Sequence, residues 1–162
     1  TVGQIGTEIV NYVLKHWIKE SRPIVKLHKG YGMPSSHAQF MTYWAAIVSL
    51  WILYRLRFRV KIFKFIIISI VYLTTIVVCY SRVYLQYHTV KQVLIGSVVG
   101  TLCGTMWYLI TVKILLPFKV INVSNPIMKY LYIRDTTNVA YLFEHEYLSI
   151  SNYKNKRIDS VL

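Results

Sequence analysis

Acidic residues are scarce in this chain. Six Asp and Glu face nineteen Lys and Arg, for a formal net charge of +13 over 162 residues. Only Glu8 and Glu20 precede Asp135. A magnesium or two-metal site needs clustered carboxylates, and the long stretch before Asp135 offers none. Any phosphoryl chemistry there is therefore expected to run without a metal or any other cofactor. Cysteine is also rare: Cys79 and Cys103 both lie in apolar runs, where they read as small buried hydrophobes rather than as a disulfide or metal site. There is no initiating methionine and no signal-peptide pattern, so the expectation is a fragment lacking an undetermined number of upstream helices.

What is present in quantity is apolar: 55% of the residues, gathered into blocks. The segments 38–56, 62–80 and 93–116 are each long enough to cross a bilayer, which predicts an all-α, integral membrane helix bundle. Residues 1–116 form the expected membrane-embedded domain and 117–162 a C-terminal tail. The Lys and Arg residues cluster at the ends of apolar runs instead of along one exposed face. That placement argues against nucleic acid and for an anionic partner, together with the bias of basic loops toward the cytoplasm. The loop RLRFRVKIFK, with Arg55, Arg57, Arg59, Lys61 and Lys64, is the expected cytoplasmic turn. Span alternation then puts residues 22–37 and 81–92 together on the opposite face, and the tail in the cytosol. Asn122-Val123-Ser124 fits a glycosylation acceptor that this topology leaves unmodified. Oligomeric state is left open.

Three polar segments share the predicted far face. In the first, Ile5, Ile9, Val13 and Trp17 recur at helical spacing from Val2 to about Lys19, with Lys15 on the polar stripe. Pro23 biases Arg22 out of that helix, so Lys15 and Arg22 should converge at its end, although Lys15 alone also fits a snorkelling interfacial lysine. In the second, Ser35 or Ser36 is a natural N-cap for the following apolar helix. Its first-turn amides and their positive dipole end then make an anion site beside His37, unless His37 is merely incidental there. In the third, SRVYLQYHTVKQ places Arg82 to hold a phosphate in its guanidinium fork and His88 to attack it or move a proton. Alone, that stretch also fits a polar turn joining two helices. Gly96, Gly100 and Gly104 repeat every four residues, a small-residue stripe for close packing within the bundle or in a dimer.

Lys15 with Arg22-Pro23, Pro34-Ser35-Ser36-His37, and Ser81-Arg82 with His88 six residues on together resemble the signature of the type 2 phosphatidic acid phosphatase superfamily. Within it, YGMPSSHAQF, SRVYLQYHTVKQVLIG and the IRDT at 133–136 are similar to the subfamily that acts on dolichyl diphosphate in the endoplasmic reticulum. The resemblance covers nearly the whole chain. It implies that His88 attacks the terminal phosphorus and that His37 protonates the leaving group. It further implies that Lys15, Arg22, Ser35, Ser36 and Arg82 bind the phosphate, and that Gln92 orients His88. The implied substrate is a polyprenyl diphosphate held in the membrane, with dolichyl phosphate and phosphate as products, a step that recycles the lipid carrier of protein N-glycosylation. Two positions depart from the superfamily pattern: Ser36 replaces a glycine, and Gln92 replaces an aspartate, so it can orient an imidazole but supplies no charge. The alternatives are hydrolysis of another lipid phosphate or diphosphate, and a non-enzymatic membrane protein that binds anionic headgroups. The second of these has no use for both His37 and His88.

Overall fold

A computed structural model describes residues 2–23, 30–56, 58, 60–117, 145 and 147–152. Lys26, His28, Lys29, Arg57, Arg59, the Asn122 acceptor and the IRDT stretch lie outside them, as does most of the tail. The regular elements among the described residues are helices: α1 (Val2–Ile18), α2 (Ser36–Tyr54), α3 (Ile62–Tyr84) and α4 (Val90–Ile110), with α4 running on into a π-helical turn, Thr111–Leu115.

Helices α3 and α4, the latter with its π-helical extension to Leu115, are long and apolar enough to cross a membrane. Most of α3 faces outward: Thr75 is its one buried residue, while Phe65, Leu73, Ile76 and Val77 are exposed. A soluble core helix would bury those side chains, so their exposure fits lipid as the solvent. Helix α2 differs from the reading of 38–56 as a span of the same kind. It has the length, but it carries Gln39, Thr42 and Ser49 among its apolar residues and does not reach the apolarity of α3 and α4. Its burial explains this composition. Ala38, Gln39, Tyr43, Ala45, Ala46 and Ser49 are all buried, so α2 is the central helix against which the others pack.

The glycine stripe of α4 belongs to that packing. A Cβ at Gly96 would stand 2.6 Å from Ser35 O, and one at Gly104 would stand 2.7 Å from Tyr43 O. At Gly100 it would collide with Gln39 O and Thr42 Oγ1. The stripe therefore lets the α4 backbone approach α2 within this chain. Helix α1 is joined to α2 by buried polar groups: Asn11 Nδ2 donates to Gln39 Oε1 at 2.7 Å, and Gln39 Nε2 donates to Thr7 O at 2.9 Å. With both amides satisfied, this polar core carries no unpaired-donor penalty at those atoms.

Candidate active site

The start of α2, the end of α3 and the start of α4 meet at one end of the bundle, and the segment following α1 lies across them. Each contributes through local backbone chemistry. Lys19 takes a left-handed conformation, φ 52°, which ends α1 after Lys19 N–H has bonded to Lys15 O at 3.0 Å. The chain then turns and presents Glu20, Ser21 and Arg22. Gly32 N–H donates to Glu20 O at 2.7 Å and pins the far side of this loop, just before the cis Met33–Pro34 bond.

Ser35 occupies the N-cap of α2 with extended backbone, as its position predicts, but its hydroxyl makes no capping bond. Its Oγ is buried and has no partner among the described residues. Ser36 Oγ instead accepts from Lys15 Nζ at 3.5 Å. With no side-chain cap from Ser35, the first-turn amides of α2 lie beside two hydroxyls and an ammonium.

Helix α3 continues four residues beyond the predicted span, so Ser81 and Arg82 lie in its last turn, where a cation suits the helix dipole. The turn out of α3 uses Gln86 at φ 57° and folds back on itself, with Tyr87 N–H and His88 N–H both bonding to Arg82 O, at 3.1 and 3.2 Å. His88 is thereby returned to the base of the arginine six residues earlier. Its ring is held from the other side by the first turn of α4, where Thr89 is the N-cap and a capping box joins it to Gln92. Gln92 Oε1 lies 3.2 Å from His88 Nδ1 and accepts from Thr89 N–H at 3.3 Å. His88 precedes the helix, so the capping box makes this pairing rather than the shared helical face that a spacing of four suggests.

The two histidines sit in different surroundings. His88 is only 3% exposed, whereas His37 is exposed. Both are held below the ordinary imidazole value of 6.5. For His88 the main cause is burial, countered in part by the bonds to Gln92 and to the Gly32 backbone and abetted by Arg22 and Lys15. For His37, whose ring is only partly desolvated by its neighbours, that desolvation leads, followed by the charges of Arg82, Lys15 and Arg22, with Glu8 opposing them. Lys15 is lowered by burial and by Arg22. These couplings put Lys15, Arg22, Arg82, His37 and His88 in one electrostatic neighbourhood, in which crowded positive charge is offset only in part by Glu8. The Nε atoms of Arg22 and Arg82 are buried without acceptors among the described residues. Buried donors in that state call for an anion. A cavity of about 340 Å³ beside His37 is walled by Phe40, Met41 and Val78 as well as Glu8 and Ser36, so an apolar surface adjoins the polar end.

The structure thus gathers Lys15, Arg22, Ser35, Ser36, His37, Arg82, His88 and Gln92 at one end of the bundle. Sequence reasoning overlooked one neighbour. Gln92 Nε2 donates to Glu20 Oε1 at 3.0 Å and to Ser21 O at 2.8 Å, while Lys91 Nζ bonds to Glu20 Oε2 at 3.2 Å. Glu20 stands two residues before Arg22, but nothing in its local sequence points to a partner 72 residues away.

Comparison with known proteins agrees with this assembly. The model of the PAP2 superfamily matches residues 2–115. Dolichyldiphosphatase 1 of Dictyostelium discoideum is 42% identical over 93% of this chain and 68% of its own length. Dolichyldiphosphatase 1 of Mus musculus and dolichyldiphosphatase of Saccharomyces cerevisiae are each 36% identical over 85% of this chain and 62% of their own. No solved structure matches this chain. With the three motifs assembled at one end and the family model spanning all four helices, this chain belongs to the PAP2 superfamily.

Proposed function

We propose that this chain hydrolyses dolichyl diphosphate to dolichyl phosphate and inorganic phosphate through a phosphohistidine at His88. The observation that carries the reading is the pairing of a buried imidazole whose Nδ1 faces Gln92 Oε1 with buried guanidinium donors lacking acceptors. Because an amide oxygen only accepts, the ring proton lies on Nδ1 and the Nε2 lone pair is free for the terminal phosphorus. As the Nε2–P bond forms, the bond from phosphorus to the bridging oxygen breaks, and His37 gives that oxygen its proton. Water then attacks the phosphorus while His37 takes up its proton, the P–Nε2 bond breaks to restore neutral His88, and inorganic phosphate leaves. Lys15, Arg22 and Arg82, with the Ser35 and Ser36 hydroxyls and the α2 amides, balance charge on the equatorial oxygens, which positioned cations can do without a metal ion.

The names of the relatives support dolichyl diphosphate as the lipid. The apolar wall of Phe40, Met41 and Val78 beside His37 suits a prenyl chain that stays in the membrane while its diphosphate enters the polar end. We place the reaction on the luminal face of the endoplasmic reticulum, where it returns the carrier of N-glycosylation to use. The test is phosphate release from dolichyl diphosphate and from phosphatidate, in detergent with EDTA. Release favouring dolichyl diphosphate, lost in His88→Ala, is the expected result. Activity retained by His88→Ala or abolished by EDTA overturns the mechanism, and a preference for phosphatidate overturns the substrate.

A further inference from the structure

An amide side chain has a donor end and an acceptor end, and a buried one is oriented by what surrounds it. Gln92 is fully buried, at 0% exposure. At one end stand two acceptors, the Glu20 carboxylate and the Ser21 carbonyl, at 3.0 and 2.8 Å. At the other end stand the Thr89 N–H at 3.3 Å and the His88 ring at 3.2 Å. Turning the amide over would set its oxygen against a carboxylate and a carbonyl, and its NH₂ against an N–H. Only one orientation satisfies all four contacts, and it sets Oε1 to accept from the His88 Nδ1–H, beside the hydrogen bond that the ring makes with the Gly32 backbone.

The carboxylate that shares this choice with the Ser21 carbonyl and the Thr89 N–H is itself held in place. Lys91 Nζ bonds to Glu20 Oε2 at 3.2 Å, and the Glu20 carbonyl accepts from Gly32 N–H at 2.7 Å. Glu8 and Glu20 are the carboxylates among the described residues, and Glu8 lies on the His37 side. The charges that act on His88 are those of Arg22, after α1, and Lys15 of α1, while His37 of α2, Arg82 and Tyr87 at the end of α3 and Lys91 of α4 belong to the helix ends that meet there. None of the basic groups among these accepts a hydrogen bond from an amide when protonated.

We propose that Glu20 is a positioning residue which, through the Gln92 amide, fixes His88 as the Nδ1-protonated tautomer and so presents Nε2 to the phosphorus. The catalytic part of this inference rests on the hydrolytic reading above; the tautomer part does not. The bond from Gln92 Nε2 to a carboxylate also polarises the amide and makes Oε1 a better acceptor, which favours charge developing on the His88 ring as it attacks.

The experiment uses the full chain in detergent micelles, with ¹⁵N-labelled histidine and phosphate release from dolichyl diphosphate as parallel readouts. The unaltered protein should show His88 protonated at Nδ1, and Glu20→Ala should shift it toward a mixture of tautomers. In the same variant kcat should fall on the order of tenfold with KM little changed, and its acid limb should move to lower pH as the ring loses support for its charge. Glu20→Gln offers an amide oxygen to Gln92 and should recover the tautomer and most of the rate. It also serves in place of Glu20→Ala if that variant does not fold: recovery in the amide variant but not in Glu20→Leu is the expected contrast. Adding Glu20→Ala to Gln92→Ala should cost nothing further. A His88 spectrum indifferent to Glu20, or losses that multiply in the double variant, overturns the proposal even if the enzyme is active. A spectrum that responds to Glu20 in a protein releasing no phosphate sustains the tautomer linkage and overturns the hydrolytic reading instead.

Discussion

Gly32 shows how tightly the His88 surroundings are fitted. A methyl group at this position would stand 2.7 Å from Gln92 Oε1 and 2.9 Å from its Nε2, with Arg22 Cγ at 3.0 Å. The Gln92 atoms are held by other hydrogen bonds and Arg22 Cγ closes the remaining side, so the clash displaces the amide, the arginine or both. Gly32→Ala should therefore lower kcat by about tenfold or more while leaving membrane insertion intact. Steady-state kinetics beside a membrane-extraction assay measures both. The histidines carry a second consequence at this scale. In the proposed reaction His88 must be neutral and His37 protonated, and both titrate below 6.5 in the free protein. As pH falls, His88 is protonated and the nucleophile is lost; as pH rises, His37 loses the proton meant for the leaving group. The bell in kcat/KM should be centred below pH 6.5, since that ratio reports the free enzyme. Bound diphosphate neutralises the cations that disfavour imidazolium, so the bell in kcat should lie at higher pH. Coincident bells, measured over a full pH series, would contradict this electrostatic account.

Among the elements, the contact of α4 with α2 has the least room to give. Its glycines face α2 backbone atoms, which cannot rotate away as a side chain can. Gly100→Leu must part the helices, with a cost of about 3 kcal/mol or more. Val98→Leu lies on the exposed side of the same helix and should be nearly neutral. Thermal unfolding in detergent distinguishes these two outcomes, and equal shifts would show that the stripe does not set helix spacing. The sequence announces such a stripe but not its partner; packing within the bundle and in a dimer both fit a glycine every fourth residue. It also hides the character of α2. Gln39 and Ser49 make the segment look like a weaker span, when they are the polar interior of a central helix. Ser35 shows a further limit. Its type and place predict a cap, yet buried geometry leaves its hydroxyl without a partner among the described residues.

For the whole molecule, the two apolar helices and the turn between α2 and α3 define opposite ends. Val60 lies at the basic end and Gln86 at the end that carries the histidines. Cysteines placed at Val60 and Gln86 should therefore react with a membrane-impermeant reagent from opposite sides of sealed vesicles. Labelling of both from one side would refute the arrangement of α3. Much of this plan is legible in the chain, because long apolar runs and basic turns are local signals. Lys15, Arg22, His37, Arg82 and His88 could likewise be placed on one face by counting helices. The Glu20–Gln92 pair could not, since its distance of 3.0 Å arises from a left-handed turn at Lys19 and a helix start far along the chain. That pair has one more implication. Many of the polar ties that fasten α1 and the segment after it run to the histidine end: Lys15 to Ser36, and Glu20 and Ser21 to Gln92. The same atoms thus serve as clasp and as catalytic support, so a substitution that adjusts the chemistry also adjusts how firmly the first helix is kept in the bundle.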